Sequence, residues 1–146
     1  MITSPEFEQE GIIPFKYTCK GQNTSPPLTI SGFPNGTQSV ALILDDPDAP
    51  KGTFTHWVVW NLAPSVQIKF PEGHMAEGAI SGVNSTGDSG YVGPCPPSGT
   101  HRYYFRAYAL DQKLNLPEDA DRTMLEQSMA GHVLSTGELM GKFSAE

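Results

Sequence analysis

The sequence is short of positive charge. Nine Lys and Arg stand against sixteen Asp and Glu, a formal net charge of −7, and no basic run occurs. A nucleic-acid role, which needs Lys and Arg arrayed against phosphates, has no support. Long apolar runs are missing too, so no segment reaches membrane-spanning length. Met1–Gly11 lacks both a basic start and an apolar core, so no signal peptide is read and a cytoplasmic protein is expected. Cysteine is scarce: the two are Cys19 and Cys95, and in that compartment they read as thiols. Phosphate-loop, dinucleotide-binding and G-x-S-x-G motifs are absent, as are the close-spaced ligand pairs of structural zinc. No cofactor or metal is expected.

What is present is a set of apolar runs punctuated by turn residues. At 146 residues the chain is long enough to bury a core as one domain, 1–146. Fifteen glycines and thirteen prolines lie between the apolar runs, a distribution that fits many strands and turns. Phe7–Tyr17, broken by Gly11 and Pro14, reads as short edge strands, and Cys19–Pro27 as irregular. Leu28–Ser31 is a short strand, and Asn35-Gly36 marks a turn that favours a hairpin into Val40. Val40–Leu44 and Trp57–Leu62 have the length and β-branched content of buried strands, and Val66–Phe70 makes another. Arg102–Leu110, RYYFRAYAL, alternates most clearly, with His101, Tyr103 and Phe105 on one parity. From Asp119 the period changes. Leu125, Met129 and Val133 fall at helical spacing, Gly137 stops the helix, and Glu138–Phe143 is a last strand.

The chemistry gathers around Leu42–Leu62, LILDDPDAPKGTFTHWVVWNL. Val40, Leu42, Leu44 and Asp46 share one parity, so a strand burying that face points Asp46 the same way at its end. Pro47 and Pro50 cannot continue a ladder, which puts Asp45, Asp46 and Asp48 at a sheet rim. His56 opens the next strand, and the long glycine-rich loop Gly73–Gly99 delivers into His101. Asp46, His56 and His101 thus stand at strand–loop junctions that Gly90–Gly99 can cover. Two imidazoles, a carboxylate, a tyrosine and glycine N–H groups make a small anion site that a phosphate can enter. Taken singly, each of these residues reads more simply as a cap on its own turn. Asp46, Asp48, His56 and His101 also supply donor types for a metal, but not the usual spacing. Cys95 with His101 or His56 has the residue types of a cysteine hydrolase, but its flanking prolines leave no helix N-terminus to activate a thiol. His74 and His132 read as structural.

The motifs DDPDAP (Asp45–Pro50), GTFTHWVVWNL (Gly52–Leu62), GYVGPCPPSGTHRYYFRAYALD (Gly90–Asp111) and GHVLSTGELMGKF (Gly131–Phe143) resemble the phosphatidylethanolamine-binding protein family. YTCKGQNTSPPLTISGFP (Tyr17–Pro34) is similar to its bacterial and archaeal Raf-kinase-inhibitor-like branch. The resemblance runs along nearly the whole chain. It implies a mainly β fold: a large central antiparallel sheet packed against a smaller sheet, with one peripheral C-terminal helix. It also implies a shallow pocket for phosphate-type anions and phosphoethanolamine head groups. By motif, Asp46, His56, His101 and Tyr103 match that pocket, Gly93, Pro94 and Pro97 match its wall, and Asp48 and Tyr91 are close seconds. A cis peptide bond in the DPDAP corner is in keeping with the family. Its eukaryotic members continue into a further helix that borders the pocket, whereas this sequence ends at Glu146, so kinase binding is not carried over. Cys19 and Cys95 both fall near the expected pocket mouth, where a reversible disulfide between them becomes a further expectation.

The expectation is therefore a non-enzymatic binding protein for a phosphate-bearing or other anionic small ligand. Three alternatives stay open. One is an inhibitor of a protein kinase or serine protease acting through a surface loop such as Gly73–Gly90. Another is a small-substrate hydrolase using the His/Asp/Tyr set. A homodimer covering exposed apolar strand faces is compatible with any of these.

Overall fold

Val40–Leu44 is apolar at every position, which a strand tolerates only when both its faces are covered. The computed structural model, which describes residues 1–145, covers both. In chain order it forms β1 (Ile2–Thr3), a 3-10 turn (Phe15–Tyr17), β2 (Leu28–Ser31), β3 (Ser39–Asp46), β4 (Phe54–Leu62) and β5 (Gln67–Phe70). Then come β6 (Ile80–Ser81), β7 (Thr100–Leu110), α1 (Arg122–Met129) and β8 (Val133–Ser144). A five-stranded sheet runs β6-β4-β3-β7-β8 and a three-stranded sheet runs β1-β2-β5, with antiparallel neighbours throughout. The fold is mainly β, as the motifs imply.

Strand β3 is buried from end to end. On one face Val40, Leu42 and Leu44 pack with Trp57, Tyr103 and Phe105 against Leu28, Ile30, Ile68 and Phe70 of the small sheet. On the other, Ala41 and Ile43 pack with Val58 and Trp60 against Leu125 and Met129 of α1. Helix α1 begins where the Asp121 carboxylate accepts the Met124 N–H at 3.0 Å, a side-chain cap on an otherwise orphaned donor. Among the described residues no helix is long and apolar enough to cross a membrane.

Several local expectations are corrected. The Asn35-Gly36 turn leads from the small sheet to the large one, so β2 and β3 are not a hairpin; β2 pairs with β1 and β5 instead. Phe7–Tyr17 forms no named strand, only an isolated bridge from Ile12 to Lys142 and the 3-10 turn. The helix ends at Met129, earlier than the apolar spacing reads, because Gly131 (φ +82°) reverses the chain and Val133 already belongs to β8. Gly137 lies inside β8, opposite Ala107, and stops nothing. The long loop contains β6, whose Ser81 and Ile80 pair with Val59 and Trp60. No cis peptide bond occurs among the described residues, so the DPDAP corner turns on trans bonds.

Candidate functional site

The large sheet slips register where β3 meets β4. Leu44 pairs with Trp57, but Asp45 pairs with Thr55, leaving His56 as the extra residue of a bulge. A bulge re-aims a side chain. Here it brings His56 beside Tyr103, with ring centroids 5.4 Å apart and nearly perpendicular. On the neighbouring strand β7, the expected parity puts His101 and Tyr103 together, their rings roughly stacked at 6.3 Å. Asp46 ends β3 next to them. Its Oδ2 accepts the His101 Nδ1–H at 2.6 Å, while its Oδ1 accepts the Asp48 N–H at 2.8 Å. Both partners of the pair are buried, Asp46 at 3 % and His101 at 7 % exposure. The carboxylate is thus held by its own turn and in turn orients the imidazole.

His56 is oriented differently. Its Nδ1 lies 2.7 Å from the Val92 carbonyl oxygen. A carbonyl oxygen only accepts, so the proton sits on Nδ1 and Nε2 is left for another partner. Burial pushes the His56 imidazole below its ordinary pKa of 6.5, with the Val92 carbonyl and the Asp46 carboxylate acting against that shift. The buried ring is therefore mainly neutral at pH 7, and its Nε2 carries a lone pair.

These groups line a cavity of about 250 Å³. Asp46, His56, His101 and Thr86 are its polar lining; Ala49, Pro50, Phe54, Val92, Gly93, Cys95 and Pro97 complete it. No Lys or Arg lines it. The Thr86 hydroxyl donates to Asn84 Oδ1 at 2.5 Å.

The 91–97 wall is laced to the segment around Cys19. Gly93 N–H donates to Asn23 Oδ1 at 2.7 Å, and Cys19 N–H to the Pro94 carbonyl at 3.1 Å. A Cβ on Gly93 would stand 2.6 Å from Asn23 Oδ1 and closer still to the Tyr17 carbonyl oxygen, so the close approach requires glycine. A disulfide joins Cys19 to Cys95. The expectation of free thiols, drawn from the cytoplasmic reading, is thereby corrected, and the pair is the one for which a disulfide was the further expectation. The cysteine-hydrolase option is corrected too, since Cys95 has no thiol to ionise.

Asp46, His56, His101, Gly93 and Pro97 come together at the cavity; four other expected residues do not line it. Tyr103 is fully buried beneath the two histidines, and its hydroxyl has no hydrogen-bond partner among the described residues. Burial, followed by the Asp46 carboxylate, pushes that hydroxyl well above the usual tyrosine range. Asp48 turns to Arg102, accepting Nε at 2.9 Å and Nη2 at 2.8 Å, and the guanidinium holds its carboxyl down at about 2. Tyr91 packs edge-on against Trp57 and donates its hydroxyl to the Tyr17 carbonyl at 2.6 Å. Pro94 gives its carbonyl to Cys19. Asp45 points to the opposite sheet face, bound by Arg106 and Arg122 at 3.0 and 2.7 Å. Among the described residues, no three His, Cys, Asp or Glu side chains are grouped to hold a metal ion.

Sequence reasoning missed Phe54, Thr86, Val92 and Asn23. Phe54 carried a signal, standing two residues before His56 on the same strand, with their rings 4.8 Å apart. Thr86 and Asn23 carried none, because irregular loops bring them in.

A model of the phosphatidylethanolamine-binding protein family matches residues 3–144. The chain belongs to that family. A UPF0098 protein of Methanothermobacter thermautotrophicus is 46 % identical over 141 residues, covering 94 % of this chain and 93 % of that one. Another, from Chlamydia muridarum, is 43 % identical over 154 residues, with 99 % of each chain covered. Among solved structures, a phosphatidylethanolamine-binding protein homolog from Chlamydia trachomatis superposes with a TM-score of 0.94 at 42 % identity, over 99 % of this chain and 97 % of that one. YbcL of E. coli, described as a new member of the mammalian family, gives a TM-score of 0.92 at 30 % identity, covering 100 % and 98 %. None of these family names denotes an enzyme.

Proposed function

We propose that this family member is a non-enzymatic binding protein whose cavity takes a phosphate-type anion: a phosphoethanolamine head group, a phosphorylated group or a small anionic metabolite. The carrying observation is the pair of buried histidines at the cavity, each fixed through Nδ1, which leaves Nε2 as the nitrogen for a ligand. His101, its Nδ1 held by Asp46, turns Nε2 towards a phosphoryl oxygen; His56 offers its Nε2 beside it. The apolar remainder of the lining lowers the local dielectric and strengthens such charge-assisted bonds. A non-enzymatic role is supported by the scarcity of nucleophiles: Cys95 is in a disulfide and the Thr86 hydroxyl is committed to Asn84.

Calorimetric titration with phosphoethanolamine tests the reading. His101→Ala removes one charge-assisted bond, worth about 1.5–3 kcal/mol, so affinity should fall roughly ten- to a hundredfold. The variant should stay folded, with a lowered thermal midpoint because Asp46 loses its buried partner. Unchanged affinity would remove His101 from the site.

A further inference from the structure

The anion-binding reading leaves one feature of the cavity wall unused. Cys95 lines the cavity and Cys19 does not, yet a disulfide joins them across 76 residues of sequence. The joined segments share no β-ladder: Cys19 follows the 3-10 turn, and Cys95 lies in an irregular run before β7. That run is fastened firmly only at its start. Val92 N–H donates to the His56 carbonyl at 3.0 Å, Gly93 to Asn23, and Pro94 accepts from Cys19. Beyond this point Pro94, Pro96 and Pro97 have no N–H with which to tie the wall down. The disulfide holds the stretch that those bonds do not. It is also reachable, since Cys95 is exposed and Cys19 half-buried.

We propose that the Cys19–Cys95 disulfide is a redox-operated clamp on the cavity wall, the oxidised form holding the wall in place for anion binding and the reduced form loosening it. The proposal rests on the anion-binding reading and names a regulation of that same site. The reductant is a dithiol. One of its thiolates attacks a sulfur of the pair, forming a mixed disulfide and expelling the other cysteine as a thiolate, which takes up a proton. The second thiol of the reductant then displaces the remaining cysteine and closes the reductant's own disulfide. Two electrons and two protons pass to the protein. With the bond open, Cys95 is no longer held at the Cα separation of 5.4 Å from Cys19, and the slack reaches back along the run to Val92, whose carbonyl orients His56. In a reducing compartment persistent disulfides are rare, and those that form are often sensors.

The full chain is titrated with phosphoethanolamine, oxidised and after treatment with a dithiol, alongside the Cys19→Ser/Cys95→Ser double variant. Amide hydrogen exchange at Val92 and Gly93 is followed in all three. The expected result is at least fivefold weaker binding in the reduced and double-variant forms, restored in the wild type on reoxidation. Exchange at Val92 and Gly93 should quicken at least tenfold while β3 and β7 amides keep their protection. Equal affinity and equal exchange in all forms would overturn the clamp. A bond that the dithiol cannot reduce in the folded protein, or a loss of protection throughout the sheet, would overturn it as well. Should the oxidised protein bind neither phosphoethanolamine nor inorganic phosphate, the anion-binding reading falls. The exchange comparison then decides by itself whether the bond clamps the wall.

Discussion

His56 meets the cavity through one nitrogen, and protonation decides what that nitrogen can do. Burial keeps the imidazole below its ordinary pKa of 6.5, so at pH 7 the free protein presents a lone pair at Nε2. A fully ionised phosphoryl oxygen is also an acceptor, and two acceptors repel. Binding a phosphomonoester therefore requires a proton, taken by Nε2 or kept on the phosphate. Above both pKa values, one proton enters with each ligand. Affinity should rise about tenfold as pH falls from 8 to 7, and level off below about 6, where the phosphomonoester is itself protonated. Titrations in buffers of different ionisation enthalpy count the protons directly; an affinity flat across this range would take His56 out of contact with the phosphate. Tyr103 makes a contrasting case. Its buried hydroxyl has no partner among the described residues, so Tyr103→Phe removes an unsatisfied donor and should leave stability within about 1 kcal/mol, or raise it slightly. Phosphoethanolamine affinity should stay within twofold, since the ring is floor and not ligand; a tenfold loss would show that the hydroxyl reaches the anion.

At the scale of elements, the site is a bulge, a strand end and an irregular wall, and these differ in how far the sequence reveals them. The strand end is legible. Alternation places His101 with Tyr103 because strands have a period of two, and prolines that cannot continue a ladder place Asp46 at a rim. The bulge is only half legible: His56 opens an apolar run, but the slip between Leu44 and Asp45 depends on pairing across strands that no single strand encodes. The wall is least legible. Gly93 sits where it does because Asn23 and Tyr17, some seventy residues earlier, crowd the space a side chain would need. The same non-local logic misled the hairpin reading of Asn35-Gly36. The turn is real, but β2 pairs with β1 and β5, chosen by the face it buries. Gly93→Ala tests the wall as an element. Its Cβ would stand 2.6 Å from Asn23 Oδ1, so the 91–97 run must move outward. Overpacking of this kind costs about 1–3 kcal/mol, readable by urea unfolding, and phosphoethanolamine binding should weaken with it. A variant as stable and as tight as the wild type would mean that the wall has slack to spare.

For the molecule as a whole, the disulfide is the longest-range covalent constraint. Two sheets and a helix already bury a continuous core on both sides of β3, so folding does not depend on a staple as it does in much smaller domains. The bond acts instead on the unfolded chain, closing a loop of 76 residues whose loss of entropy in the chain-entropy account amounts to about 4 kcal/mol. For a chain of this size each kcal/mol moves the thermal midpoint by about 2–4 °C, so complete reduction should lower it by roughly 10 °C without abolishing the transition. Calorimetry with and without a dithiol checks this, the Cys19→Ser/Cys95→Ser double variant serving as the reduced reference. The two consequences of breaking the bond are separable. A lower midpoint with unchanged ligand affinity would make the bond a stabiliser of the whole molecule alone, whereas loss of both would join global stability to the local hold on the cavity wall.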